Sequence, residues 1–163
     1  MRHAIPLRLL AALAATLLMA ACGSKTVLHE THALKNGTWL RFEPEKYTFE
    51  IRDMDACYDL TLTARVDTAL LTDAELPLIV DMYNETSERR MLPLKLRLRD
   101  AHGQATGRAS GAYREVSVPV REYFFFNTKG QQRVEVKQAT SRYELRGVNA
   151  LTLTVKESDL RDR

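Results

Sequence analysis

The stretch "YDLTLTARV", residues 58–66, decides the fold. Tyr58, Leu60, Leu62, Ala64 and Val66 alternate with Asp59, Thr61, Thr63 and Arg65. Successive side chains of an extended chain point to opposite faces, so this pattern makes one dry face and one wet face. Wound into a helix of 3.6 residues per turn, the same five apolar residues would scatter around the circumference. The stretch is therefore predicted to be a strand of an antiparallel sheet with one side in water.

The pattern recurs in both directions from there. In "KYTFEIRD" (46–53), Tyr47, Phe49 and Ile51 oppose Thr48, Glu50 and Arg52. In "LPLKLRLRD" (92–100), Leu92, Leu94, Leu96 and Leu98 oppose Lys95, Arg97 and Arg99. "RVEVKQA" (133–139) and "VNALTLTV" (148–155) repeat it, while "PLIVDMYN" (77–84) is apolar enough for a central strand. Gly103, Gly107 and Gly111 in "DAHGQATGRASG" (100–111) mark a turn leading into a bent or bulged strand. No window carries a helical stripe of similar length; one short helical turn is expected at 72–75. Seven to eight short antiparallel strands at this spacing predict an all-β fold, a β-sandwich.

The N-terminus is of another kind. Residues 9–21 form a run of 13 without charge, preceded by Arg2 and Arg8 and followed at once by Cys22. A bilayer span needs about 20 apolar residues, so this run is too short. A basic start, a short apolar centre and small residues before a cut describe a secretory signal peptide. "LLMAAC" (17–22) resembles the lipobox of bacterial lipoproteins, in which the cysteine is acylated and becomes the new N-terminus. Each buried acyl methylene contributes roughly 0.8 kcal/mol, and stable anchoring takes more than one chain. The chain is thus divided into a leader (1–21), an acylated Cys22 with a polar tether (22–37), a sandwich (38–157) and a polar tail (158–163). Gly23 stands where Asp would hold such a protein at the inner membrane, and no acidic run follows it. The expected location is the outer membrane, on its periplasmic face rather than at the cell surface.

Removing residues 1–21 from 163 leaves 142, enough for one domain with a core of its own. It carries 22 Lys and Arg against 21 Asp and Glu, a net charge of +1. An exported, balanced chain is not expected to bind nucleic acid. With Cys22 lipidated, Cys57 has no partner in the chain and reads as a small buried hydrophobe.

Tests for chemistry mostly fail. His29 and His32 are three apart, not the four of a zinc-protease helix. "GRASG" (107–111) places its serine one position away from a hydrolase elbow. Asp53, Asp55 and Asp59 crowd a turn, but Tyr58 and Ala64 stand where a calcium loop needs Gly and Glu. The expectation is a protein without catalytic residues, metal or cofactor. Candidate binding positions are Trp39, the single tryptophan; Tyr123 and Phe125 of the aromatic run 123–126; and the cationic stripe Lys95, Arg97 and Arg99. The aromatic residues read either as core or as a glycan platform, and the stripe either as a solvated face or as a docking surface.

Taken in order, the lipobox cysteine, "NGTWLRFEPEKYTFEI" (36–51), "YDLTLTARV" (58–66), "LPLKLRLRDAHGQATGRASG" (92–111), "NTKGQQRVEVKQA" (127–139) and "YELRGVNALTLTV" (143–155) resemble the GldH gliding-motility lipoprotein family of Bacteroidetes. The resemblance implies an outer-membrane lipoprotein, with protein partners in a gliding or secretion-associated envelope machine and no catalytic residues to carry over. The alternative is a lipid-anchored glycan-binding module. "DTA" (67–69) is similar to the O-glycosylation site of that phylum and would place a glycan on Thr68.

Overall fold

The computed structural model describes residues 25–158, so the leader and Cys22 lie outside the described residues. Eleven strands are described: β1 (Thr26–Ala33), β2 (Thr38–Leu40), β3 (Glu45–Ile51), β4 (Tyr58–Val66), β5 (Glu75–Tyr83), β6 (Arg89–Arg97), β7 (Arg108–Ser110), β8 (Tyr113–Phe124), β9 (Gly130–Gln138), β10 (Glu144–Arg146) and β11 (Val148–Glu157). Eight of these have seven residues or more; β2, β7 and β10 have three each. They form a sheet in the order β1-β11-β4-β8-β7, a second in the order β3-β9-β5-β6, and a small ribbon of β10 and β2. Every pairing is antiparallel.

The alternation read from the sequence sets the layers. Tyr58, Leu60, Leu62, Ala64 and Val66 of β4 are all buried and meet Leu151, Leu153 and Val155 of β11 in one core. From the other sheet come Tyr47, Phe49 and Ile51 of β3, the even-numbered residues of β5 from Leu76 to Met82, Leu96 of β6, and Val134 and Val136 of β9. β5 pairs on both sides, the central position its apolar character predicted. The wet face of the first sheet is largely threonine. Thr31 meets Thr152 at 2.7 Å, and Thr63 meets Ser117 at 2.8 Å. β-branched residues favour the extended chain, and their hydroxyls pair across strands.

The tether expectation needs correction. From Thr26 onward the chain is not a linker: β1 is an edge strand paired along its length with β11. The domain therefore starts at Thr26, not at residue 38. The strand was illegible because none of its residues is fully buried. Leu28 packs partly buried against the core, but Glu30 and His32 continue the same half-covered face where further apolar residues would have given the period. Edge strands commonly carry charge at such positions. The expected helical turn at 72–75 is also absent; a backbone bond from Leu71 N–H to the Asp67 carbonyl closes the turn just before it. A 3₁₀ turn at Lys35–Gly37 links β1 to β2. At the C-terminus, β11 ends at Glu157, where the sandwich was expected to end.

Candidate functional surfaces

Both ends of the sandwich carry exposed apolar side chains, and the ends are built differently. At one end Lys25 is fastened to the last residue of β11. Its carbonyl accepts from Glu157 N–H at 2.9 Å, and its Nζ meets the Glu157 carboxylate at 3.0 Å. The turn between β3 and β4 lies beside it. There Asp53 Oδ1 accepts from Asp55 N–H, and the Tyr58 hydroxyl donates to the Asp53 carbonyl at 2.7 Å. The Asp53 carboxylate is thus occupied with turn geometry. Among the described residues, no group of three or more His, Cys, Asp or Glu side chains is placed to hold a metal ion.

The aromatic run leaves β8 at this same end. Phe126 is buried edge-to-face against Phe49, Tyr58 and Phe124, with ring centroids 4.9–5.9 Å apart. Tyr123 and Phe125 turn the other way and are exposed. Tyr123 holds φ at +50°, uncommon for a residue with a Cβ, and its N–H donates to Asp59 Oδ1 at 2.8 Å. Of the expected platform residues, these two stand at the surface.

Trp39 does not. It is buried, and its indole N–H donates to the Glu43 carbonyl at 3.0 Å. A ring locked beneath the ribbon offers no face to a sugar, so Trp39 is an anchor of the core and not a binding residue. The cationic stripe also divides into separate roles. Lys95 is neutralised by Glu75 at 3.0 Å. Arg97 is exposed. Arg99 is a structural clamp that donates to the carbonyls of Thr68 (2.9 Å), Thr72 (3.1 Å) and Gly103 (3.3 Å). It ties the β4–β5 loop to the β6–β7 loop and is not a free cation awaiting a partner. Thr68 is half-buried in that clamped turn, where Asp67 Oδ1 accepts from Ala69 N–H at 2.9 Å.

Sequence reasoning missed two features. One is a buried carboxylate on the outer face of the second sheet. Asp81 is 0% exposed and is held by Arg89 through two bonds (2.8 and 3.0 Å) and by Lys137 at 2.7 Å. Burial works against its charge, but these two cations outweigh the burial and keep its pKa below the ordinary value. The other is an apolar patch at the far end, in the loops beside the β2–β10 ribbon. The rings of Phe42 and Tyr143 lie 6.2 Å apart and are 75% and 61% exposed; Leu70, also exposed, lines the adjoining groove with Leu40 and Arg146. β4 runs from one end to the other, and nine extended residues span roughly 30 Å. Residues brought together from three distant segments leave no local pattern to read.

Cys57 is buried and unpaired among the described residues. No described helix is long and apolar enough to cross a membrane. The family model described as GldH lipoprotein matches residues 26–155. Searches of curated proteins and of solved structures gave no significant match. The match takes in ten of the strands whole and all but the last two residues of β11, so the chain belongs to the GldH lipoprotein family.

Proposed function

We propose that this protein is a non-catalytic adaptor of a gliding-motility or secretion-associated envelope machine. It is anchored by acyl chains on Cys22 to the periplasmic face of the outer membrane. The family match supports the lipoprotein part of this reading. The absence of Asp after Cys22 and of an acidic run beyond it supports the address.

The observation that carries the adaptor role is the exposed ring pair of Phe42 and Tyr143, with the exposed Leu70 in the adjoining groove. Exposed aromatic residues grouped at one end of a domain are typical of protein–protein contacts, where Tyr and Phe are enriched. The patch stands at the end opposite Lys25, the residue nearest the anchor among those described, and so faces away from the membrane.

The test is in-cell cross-linking from a photoreactive residue placed at position 143, compared with one at the threonine face at position 63. Discrete adducts from 143, lost when Phe42→Asp is added, support the reading. No adduct from either position, or equal adducts from both, overturns it. Incorporation of labelled palmitate into wild type but not Cys22→Ser checks the anchor separately.

A further inference from the structure

We propose that the end of the sandwich bearing Met54, Tyr123 and Phe125 rests on the bilayer that holds the acyl chains, with these side chains at headgroup depth. The inference depends on Cys22 being the anchor. Three facts lead to it.

The first is the length of the connection. Lys25 follows Cys22 by three residues. Three peptide units reach at most about 11 Å. Lys25 itself has no slack, because its main chain and its side chain both bind Glu157. The acyl chains therefore leave the protein within about 11 Å of this end, and the end cannot stand far from the membrane surface.

The second is what the end displays. Phe125 is 54% exposed and Met54 is 39% exposed, beside the half-exposed Tyr123. Met54 comes from the β3–β4 turn, Tyr123 from the end of β8 and Phe125 from the loop after it, and the fold brings them to the same end. The Asp59–Tyr123 bond, the partly buried Phe124 and the buried Phe126 fix the β8 exit, so Phe125 is directed outward by its neighbours. Aromatic side chains with an apolar body gain by sitting at a membrane interface, and tyrosine adds a hydroxyl for the headgroup layer.

The third concerns charge. Lys25, Arg52 and Lys129 are exposed at this end, and so are Glu50, Asp53, Asp55 and Glu122. Mixed charge gives no net pull toward anionic lipid. The hold is thus apolar, operates on zwitterionic lipid, and is insensitive to salt. The carboxylates of Asp53 and Asp55 flank Met54 and limit insertion to the headgroup layer, because an ionised carboxylate resists transfer into hydrocarbon. Seated this way, the domain points its β2–β10 ribbon away from the bilayer.

The experiment uses the full lipidated chain reconstituted in phosphatidylcholine vesicles. Tryptophan replaces Phe125 in one variant, Met54 in a second and Phe42 in a third. Lipids brominated near the top of the acyl chain serve as quenchers. Trp39, buried in every variant, provides the internal baseline. Phe125→Trp and Met54→Trp are expected to lose several-fold more emission to the quencher than Phe42→Trp, with a blue shift on reconstitution and no change on raising salt. If Phe125→Trp does not fold, Met54→Trp carries the test alone. Vesicles that float the protein but quench neither variant overturn the seating while leaving the lipoprotein reading intact. Protein that takes up no palmitate and does not float overturns both. A blue shift in native membranes, with neither blue shift nor quenching in pure lipid vesicles, assigns this end to a protein partner and overturns the proposal.

Discussion

The Tyr47 hydroxyl of β3 donates a hydrogen bond of 2.9 Å to the main-chain carbonyl of Leu151 in β11, across the space between the two sheets. The two residues are 104 positions apart in sequence, and both are buried. A bond of this kind fixes how one layer sits on the other, because the buried hydroxyl needs an acceptor at one place. Tyr47→Phe keeps the ring and removes the donor. It should cost about 1 kcal/mol, measured as a shift in urea midpoint with an unchanged slope. Burial also pushes the Tyr47 phenol well above its ordinary pKa. An alkaline absorbance titration should therefore find Tyr47 ionising only together with unfolding.

His32 stacks on that same tyrosine, with ring centroids 4.4 Å apart and planes 20° from parallel. Its two nitrogens meet Glu30 at 2.8 Å and Glu45 at 2.7 Å. Partial burial works against the imidazolium, but the two carboxylates outweigh it and raise the pKa above the ordinary value. A raised folded-state pKa means that the protonated form stabilises the fold. That contribution is fully present below about pH 6.5, the unfolded value, and is lost as pH rises through the folded value. Wild type should thus lose stability relative to His32→Gln as pH rises above about 6.5, followed by urea melts at each pH. Parallel pH dependence in the two proteins would show that the Glu30–His32–Glu45 contact is not coupled to folding.

The Asp81 network predicts an unusual order of severity. The double variant Arg89→Ala, Lys137→Ala leaves a carboxylate buried without a cation. It should cost about 3–5 kcal/mol. Asp81→Leu instead removes the buried charge, and its two former partners are exposed enough to turn to solvent. Replacing a buried ionic group by an apolar one of similar size is often close to neutral, so the loss here should stay below about 1.5 kcal/mol. Thermal melts of the two variants at pH 7 decide the order.

Legibility followed the balance of faces. β4, β6 and β11 were readable because each has one dry side and one wet side, so that polarity alone gives the period. β1 was not, because after Leu28 its covered face continues with Glu30 and His32, so polarity did not alternate along it. Asp81 was hidden for the opposite reason: it lies within an apolar strand, and its cations come from β9 and from the first residue of β6. Trp39 was recognisable as important, but whether it faced inward depended on a ribbon formed with β10 across more than a hundred residues. The patch of Phe42, Leu70 and Tyr143 exists only once three loops have met.

The register of β6 gives a sharp contrast between neighbours. Leu96 is buried in the core, whereas Lys95 is exposed beside Glu75. Leu96→Asp buries an unpaired carboxylate at a cost of several kcal/mol, a large part of a typical stability of about 5–15 kcal/mol. Lys95→Asp loses one surface ion pair and should change stability by less than about 1 kcal/mol. Equal shifts in melting temperature for the two variants would contradict the register.

The glycines of "DAHGQATGRASG" are evenly spaced, but their surroundings differ. Gly103, Gly107 and Gly111 all have φ between +62° and +77°. At Gly103 and Gly111 an added Cβ would meet nothing. At Gly107 it would collide with the main-chain carbonyl of Glu115 and crowd the Val116 side chain. Glu115 belongs to β8, against which β7 pairs, so relief would require the β7–β8 ladder to move. Asparagine tolerates the left-handed region, so Gly103→Asn and Gly111→Asn should each cost less than about 1 kcal/mol. Gly107→Ala adds a steric conflict with backbone to the conformational cost and should exceed about 2 kcal/mol. Hydrogen exchange should localise the damage. In Gly107→Ala, protection should fall for Arg108–Ser110 and for their partners Tyr113 to Glu115, while the β4–β11 pairing keeps its wild-type rates. Uniform loss across both sheets would mean that Gly107 supports the whole core and not merely its edge.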